Sequence, residues 1–301
     1  MKRSLGILAF VAAVLACSPA VPAAEATDTG ARADEVPGAT ASVARRTGFH
    51  FDGIFRQGGV VRGEVPGGTR QLTLDGEAVA VAADGHFLIA FGRDHGSDAI
   101  LVATLHDGTS VTEALSIAPT SWRIEHVNAA PRGGSSSAEF RRRRAPELER
   151  INAARAVRSQ VDGWRQAFLW PVTGRISGLF GSQRIYRGEP GSYHSGVDIA
   201  RPAGTPIVAP ADGVVILAAQ TPFTLEGYLL MIDHGMGLNS AFLHLSRIDV
   251  AEGDRVARGD RIGAIGSSGR ATGPHLHWSM KWGTERIDPR FLAGPMPDPG
   301  S

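Results

Sequence analysis

Three Asp-Gly pairs set the rhythm of the first half of this chain. Gln71-Leu-Thr-Leu runs into Asp75-Gly76, Ala78-Val-Ala-Val into Asp84-Gly85, and Ile100-Leu-Val-Ala-Thr-Leu into Asp107-Gly108. Asp-Gly between short apolar runs is a hairpin signal, because both residues tolerate the left-handed backbone that a tight turn demands. Their regular spacing predicts a small β-sandwich over residues 49–130. The 38 glycines of the chain suit a turn-rich, mainly β protein. His50, His86, His95, His106 and His126 are scattered through this region, and surface or turn positions account for them. It reads as an interaction or positioning module without chemistry of its own.

A Gly/Ser-rich break at residues 131–137 opens a linker that extends to residue 168. Within it Leu148, Ile151, Ala154, Val157, Val161, Trp164 and Phe168 recur every three or four residues, which predicts one amphipathic helix packed on a neighbouring domain. Arg141, Arg142, Arg143 and Arg144 fall at its start or just before it and read as a solvated charged face. From residue 169 to 301 short strand-like runs return. Ile207-Val-Ala-Pro and Gly213-Val-Val-Ile-Leu fit one hairpin. Tyr228-Leu-Leu-Met-Ile-Asp fits a buried strand, and Ser240-Ala-Phe-Leu-His-Leu fits its partner. His234, next to Gly235 at a strand end, reads as a turn cap.

The first residues carry an address. Lys2 and Arg3 precede an apolar run over residues 5–16, the pattern of a secretory signal within residues 1–23, too short for a comfortable membrane span. Residues 24–48 lack apolar periodicity and read as a flexible tether. Cys17 is the only cysteine, so no intramolecular disulfide forms. Val14-Leu15-Ala16-Cys17 resembles a bacterial lipobox, with Leu15 larger than usual, and acylation there would anchor the chain to a membrane. The other route is cleavage near Ala20 or Ala23, which discards Cys17. The expected destination is the cell envelope, periplasm or outer membrane. A net charge of +1 gives no pointer to nucleic acid.

Two late motifs carry the chemistry: His194-Ser-Gly-Val-Asp198 and Thr272-Gly-Pro-His275-Leu-His277-Trp278. Residues two or four apart on a strand point the same way, so His194 shares a face with Asp198 and His275 with His277. Two imidazoles and a carboxylate can hold one zinc ion and leave its fourth position open, as in catalytic zinc sites. His244 lies between the motifs, placed to act on water or substrate. Gly266-Ser-Ser-Gly269 has neither the spacing nor the lysine of a phosphate loop and reads as a groove lining.

These motifs belong to an ordered series. It runs through Trp170-Pro-Val-Thr-Gly-Arg-Ile-Ser-Gly-Leu-Phe-Gly181, His194-Ser-Gly-Val-Asp-Ile-Ala-Arg-Pro-Ala-Gly-Thr-Pro206 and Ala209-Pro-Ala-Asp-Gly-Val-Val215. It continues with Leu243-His-Leu-Ser246, Gly253-Asp-Arg-Val-Ala-Arg-Gly-Asp-Arg-Ile-Gly263 and Gly273-Pro-His-Leu-His277. In this order the segments resemble the lysostaphin-type zinc metallopeptidases, which cut peptide bonds in peptidoglycan. The resemblance implies a compact antiparallel β core of the duplicated hybrid motif or barrel-sandwich type, crossed by a groove. It implies one Zn2+ per chain on His194, Asp198 and His277. His244 and His275 become the catalytic pair that moves protons and stabilises the tetrahedral oxygen, the two tasks undivided between them. Phe242 stands where tyrosine is common, Trp278 where phenylalanine is, and the segment at Gly181-Ser-Gln-Arg184 is one residue long; none removes a ligand.

The expected function is an exported zinc metalloendopeptidase acting on peptidoglycan stem peptides or cross-bridges. The alternative is a catalytically inactive activator of a cell-wall amidase with the same fold; such relatives lack some ligands, whereas all three are present here. A third reading, a sugar-phosphotransferase or lipoyl-type carrier, fits Ala209-Pro-Ala-Asp-Gly but neither the export signal nor the His/Asp/His set.

Overall fold

The structure, a computed structural model, describes residues 47–130 and 137–297. The signal, Cys17, the tether before residue 47 and most of the Gly/Ser break lie outside the described residues. What is described is mainly β and antiparallel, as the sequence predicts, and β8–β10 below is the one parallel strand pair among the described residues.

Strands β1 (His50–Gly53), β2 (Val60–Glu64) and β5 (His86–Ala90) form one sheet; β3 (Thr69–Leu74), β4 (Glu77–Val79), β6 (Asp98–Leu105) and β7 (Ser110–Ser116) form the other. The two enclose a shared core that includes Val61, Phe87 and Ile89 from the first and Leu72, Leu101 and Leu115 from the second. At the β3–β4 turn Asp75 and Gly76 both take positive φ, 49° and 84°, which the two-residue hairpin turn requires. The second Asp-Gly pair also turns the chain back on itself, and moves it between sheets. β4 pairs with β3, while Val81 bridges antiparallel to Phe87, the Ala82 amide bonds the His86 carbonyl at 2.8 Å and Gly85 takes φ 87°. The unbroken apolar run Phe87-Leu-Ile-Ala90 marks a strand buried on both faces: Leu88 and Ala90 turn away from the sandwich core and join the core of the C-terminal half. Each large side chain covered this way is worth roughly 1.5–3 kcal/mol.

Helix α1 (Ala138–Ala156) starts ten residues before the apolar stripe because Ser137 caps it, accepting from the Phe140 amide at 3.1 Å. Arg141, Arg142, Arg143 and Arg144 are therefore inside the helix. It also ends early. Val157 is already extended, Asp233 Oδ2 takes the Ser159 amide at 2.6 Å, and the Trp164 amide bonds the His234 carbonyl at 2.8 Å. Ile151 and Ala154 pack in one core cluster, Trp164 and Phe168 in another, so the stripe read from sequence is two segments serving two cores.

The C-terminal half adds β8 (Ile124–Val127), β9 (Arg175–Gly178), β10 (Gln183–Tyr186), β11 (Glu189–Pro190), β12 (Val197–Ala200), β13 (Pro206–Val208), β14 (Gly213–Ala218), β15 (Tyr228–Asp233), β16 (Leu238–Ile248), β17 (Arg255–Val256), β18 (Arg261–Ile265), β19 (Leu276–Trp282), β20 (Glu285–Ile287) and the short α2 (Arg290–Ala293). Its main sheet runs β17-β14-β15-β16-β19-β12-β9, with β20 on β19 and the β13–β18 pair joined to β16. The expected hairpin of residues 207–217 does not form: β13 pairs with β18, while β14 lies between β15 and β17. The backbone between them is already committed, Ala209 to Asp260 and Gly259, and Pro210 to Leu169. β15 and β16 do pair, as expected.

His234 is no turn cap. It is fully buried, its Nδ1 donating to the Asp212 carbonyl at 2.8 Å and its Nε2 accepting from Ser240 Oγ at 2.9 Å, and that oxygen also takes Trp278 Nε1 at 3.3 Å. Burial pushes its pKa down to about 4 from 6.5. The folded protein thus binds this proton less readily than the unfolded chain. The stabilising contribution is complete above about pH 6.5 and is lost as pH falls toward about 4, by roughly 3 kcal/mol in all. Thermal denaturation of the full chain between pH 7 and 4.5 should show this loss, and His234→Gln should flatten the dependence.

Candidate metal centre

Strand register builds the centre. Asp198 on β12 is paired with Gly178 on β9 and with His277 on β19, and His277 is paired with Leu243 on β16. Directly paired residues share a face, so Gly178, Asp198, His277 and Leu243 form one row across four strands. His194 reaches the row from the loop before β12. Its Nε2 lies 3.0 Å from Asp198 Oδ1 and 3.0 Å from His277 Nδ1, and His277 Nδ1 lies 2.8 Å from Asp198 Oδ1. Three lone-pair atoms thus converge from two distant stretches of the chain. Ligands at about 2.0–2.2 Å from a tetrahedral zinc stand roughly 3.3 Å apart, so the donor set and its spacing fit the ion with little adjustment. Among the described residues this is the one cluster of metal-binding type.

Electrostatics favours ligation at Asp198 and His277, while at His194 a proton competes with the metal. Burial works against ionised Asp198, yet hydrogen bonds and charge from His194 and His277 hold its carboxyl well below the usual range. Burial pushes the His277 pKa down, keeping the ring neutral. For His194 burial also opposes the charged form, but the Asp198 hydrogen bond and charge outweigh it and raise the pKa. The His194 Nδ1–H donates to the Leu179 carbonyl at 3.0 Å, which in the neutral ring leaves Nε2 free of a proton.

The other two histidines flank the row. His275 donates Nδ1–H to the Gly273 carbonyl at 2.8 Å and holds Nε2 3.8 Å from Asp198 Oδ1. His244 reaches the same face through an irregularity. Phe242 and Leu245, three apart, both point into the core, and between them His244 takes φ 64° while the register of β16 shifts. A bulge of this kind re-aims one side chain without moving the strand. The His244 ring centroid then lies 4.9 Å from that of His275, and its Nδ1 donates to the Ser268 carbonyl at 2.9 Å. Burial lowers its pKa, favouring the neutral base. The loop Gly266–Gly269 therefore braces His244: Ser268 Oγ also donates to the Leu245 carbonyl and accepts the Tyr228 amide. Leu179 and Ser268 act through backbone carbonyls, which no side-chain pattern announces. The scattered histidines stay apart: His50, His106 and His126 are exposed, His86 and His95 half-buried.

Residues 192–289, which span His194, His244, His275 and His277, match the model of peptidase family M23. A crystal structure of a Pseudomonas aeruginosa protein assigned to peptidase M23 superimposes with a TM-score of 0.62 and 30% identity, covering 80% of this chain and 95% of that one. The chain belongs to peptidase family M23. It is 40% identical over 126 residues to the peptidoglycan DD-endopeptidase ShyA of Vibrio cholerae, 40% of this chain and 28% of that protein. It is 39% identical over 128 residues to the DD-carboxypeptidase/endopeptidase Mpg of Neisseria meningitidis, 41% of this chain and 28% of that protein. The aligned segments thus span under a third of the length of either relative.

Gly178 leaves the room this cluster needs. A Cβ there would lie 2.4 Å from Asp198 Oδ2 and 3.0 Å from His194 Cε1. Gly178→Ala should therefore weaken zinc binding by about tenfold or more with the fold intact, as disturbed supporting residues do elsewhere. Competition with a chromogenic chelator checks this, and unchanged affinity would mean that the β9 edge yields.

Proposed function

We propose that this chain is an exported zinc metalloendopeptidase that hydrolyses peptide bonds in peptidoglycan stem peptides or cross-bridges. The convergence of His194 Nε2, Asp198 Oδ1 and His277 Nδ1 within 3.0 Å, beside two further imidazoles, carries this reading. The names of the matched relatives, peptidoglycan endopeptidases, supply the substrate class. Envelope location and an acylated Cys17 remain part of the same proposal, resting on the N-terminal sequence.

His194, Asp198 and His277 would hold the ion. Zinc bound there supplies Lewis acidity toward the scissile carbonyl and acidifies a water. His275 and His244, each with Nδ1–H tied to a carbonyl, present Nε2 on the same face. A neutral imidazole in that state accepts a proton from the attacking water and, once protonated, donates to the departing amine or to the tetrahedral oxygen. An amidase activator without catalysis needs none of the five side chains in this arrangement.

The test separates ligands from helpers. Asp198→Ala and His277→Ala should each lose most of about one zinc per chain and all detectable peptidoglycan cleavage. His275→Ala and His244→Ala should keep zinc and fold while turnover falls about a hundred- to ten-thousand-fold. Metal content, circular dichroism and cleavage of purified peptidoglycan on the same preparations decide. Full zinc in His277→Ala overturns the ligand set; near-wild-type cleavage by both His275→Ala and His244→Ala overturns the helper roles.

A further inference from the structure

The sheet face that carries His277 continues into a cluster of positive charge. Lys281 lies four residues further along β19 and so shares the His277 face. β20 sets Arg286 directly opposite Lys281. Like charges at a directly paired position are unfavourable, so this pairing needs a reason. From above, the last turn of α1 brings Arg155 to the same place. Its Nε is buried and has no hydrogen-bond partner among the described residues.

Among the described residues none of the three has a direct ion-pair partner; the Glu226 carboxylate acts on Arg155, and that of Glu285 on Lys281, only through its charge at a distance. Glu226 is taken by Arg144, which holds both of its oxygens at 2.6 Å. Glu285 keeps one oxygen 3.2 Å from the Thr284 hydroxyl and lays the other against Gly92. Among the described residues no carboxylate stands within ion-pair distance of Arg155, Lys281 or Arg286. Burial, and then the neighbouring cations, lower the pKa of Arg155 and Lys281, and the charges of Glu226 on Arg155 and of Glu285 on Lys281 offset this only in part.

The charges border a cavity of about 130 Å³ whose wall also includes Ser195, Ser279, His277 and the Arg144–Glu226 ion pair. The cavity therefore reaches the metal centre at His277. Two guanidinium forks and an ammonium group in a small space match one carboxylate. A free carboxylate is also the anion that a peptide brings to a peptidase.

We propose that Arg155, Lys281 and Arg286 form a carboxylate subsite that receives a free carboxylate of the peptide substrate beside the scissile bond, which deepens and rests on the peptidase reading above. Arg155 comes from the linker helix, outside the matched residues 192–289. Preference for carboxylate-bearing peptides is then set partly by a segment that precedes the peptidase fold.

Diacetyl-Lys-D-Ala-D-Ala and its C-terminal carboxamide differ only in the charge at issue. Calorimetric titration of each into the zinc-loaded full chain should show the acid bound about ten- to a hundredfold more tightly. Lys281→Met and Arg286→Gln, both at half-buried or exposed positions, should bring the acid down to the affinity of the amide and leave zinc content unchanged. Wild type that binds the acid no better than the amide, or variants that keep the preference, overturn the subsite. Cleavage of the same peptides, followed by mass spectrometry, keeps the two readings apart. Discrimination in binding with no bond cut leaves the subsite standing and removes the peptidase; equal binding with cleavage of both removes the subsite and leaves the peptidase.

Discussion

Antiparallel pairing of Asp198 with His277 is the constraint on which the rest depends. A carboxylate and an imidazole stand side by side because β12 and β19 are in one particular register, and the same register brings Gly178 and Leu243 into the row. A slip by one residue would turn every one of these side chains to the opposite face. Burial on that opposite face prevents the slip. Val197, Ile199, Leu276 and Trp278 alternate with the site residues and are all fully buried in the main core. The alternation that packs the core therefore also aims the ligands.

The buried polar chain behind the row adds to this. Trp278 donates to Ser240, Ser240 to His234, and His234 to the Asp212 carbonyl, so the strand that bears His277 is tied through β16 to the start of β14. Each group has its partner, which makes such a network stiffening rather than costly inside a protein. The imidazoles at the centre are handled alike: His194, His244 and His275 each give Nδ1–H to a backbone carbonyl and turn Nε2 inward. Carbonyls of Leu179, Ser268 and Gly273 thus set which nitrogen each of three rings turns toward the centre.

What the sequence made legible followed from short-range rules. The two-residue periodicity of His275 and His277, the pairing of β15 with β16, and the Asp75-Gly76 turn are all set within a few residues and read directly. What it hid was set by distant partners. The helical stripe runs on past Ala156 because Trp164 and Phe168 satisfy a second core at helix-like spacing by coincidence. His234 resembled a turn residue until Ser240 and Asp212 were seen to enclose it. His244 belonged by motif to the centre, but a regular strand would have buried it beside Phe242; only the left-handed bulge brings it out, and no composition rule marks that residue for positive φ.

The N-terminal sheets bear on the centre by a similarly indirect route. Leu88 and Ala90 are part of the main core, and Arg93 reaches across to the Gly181 carbonyl at 3.0 Å and to Gln183 Oε1 at 2.9 Å. Trp122 packs edge-on to Phe180 and lies within van der Waals reach of Gly181. Leu179, whose carbonyl orients His194, is the residue just before this clasped pair, and the Gly181 amide in turn bonds the His194 carbonyl at 2.8 Å. A charge-assisted bond to a buried carbonyl is among the stronger polar contacts available, and cutting one leaves that carbonyl unsatisfied. Positioning of the first ligand therefore runs through contacts made by the sandwich, which gives that module a mechanical part in the centre even though it contributes no side chain to it.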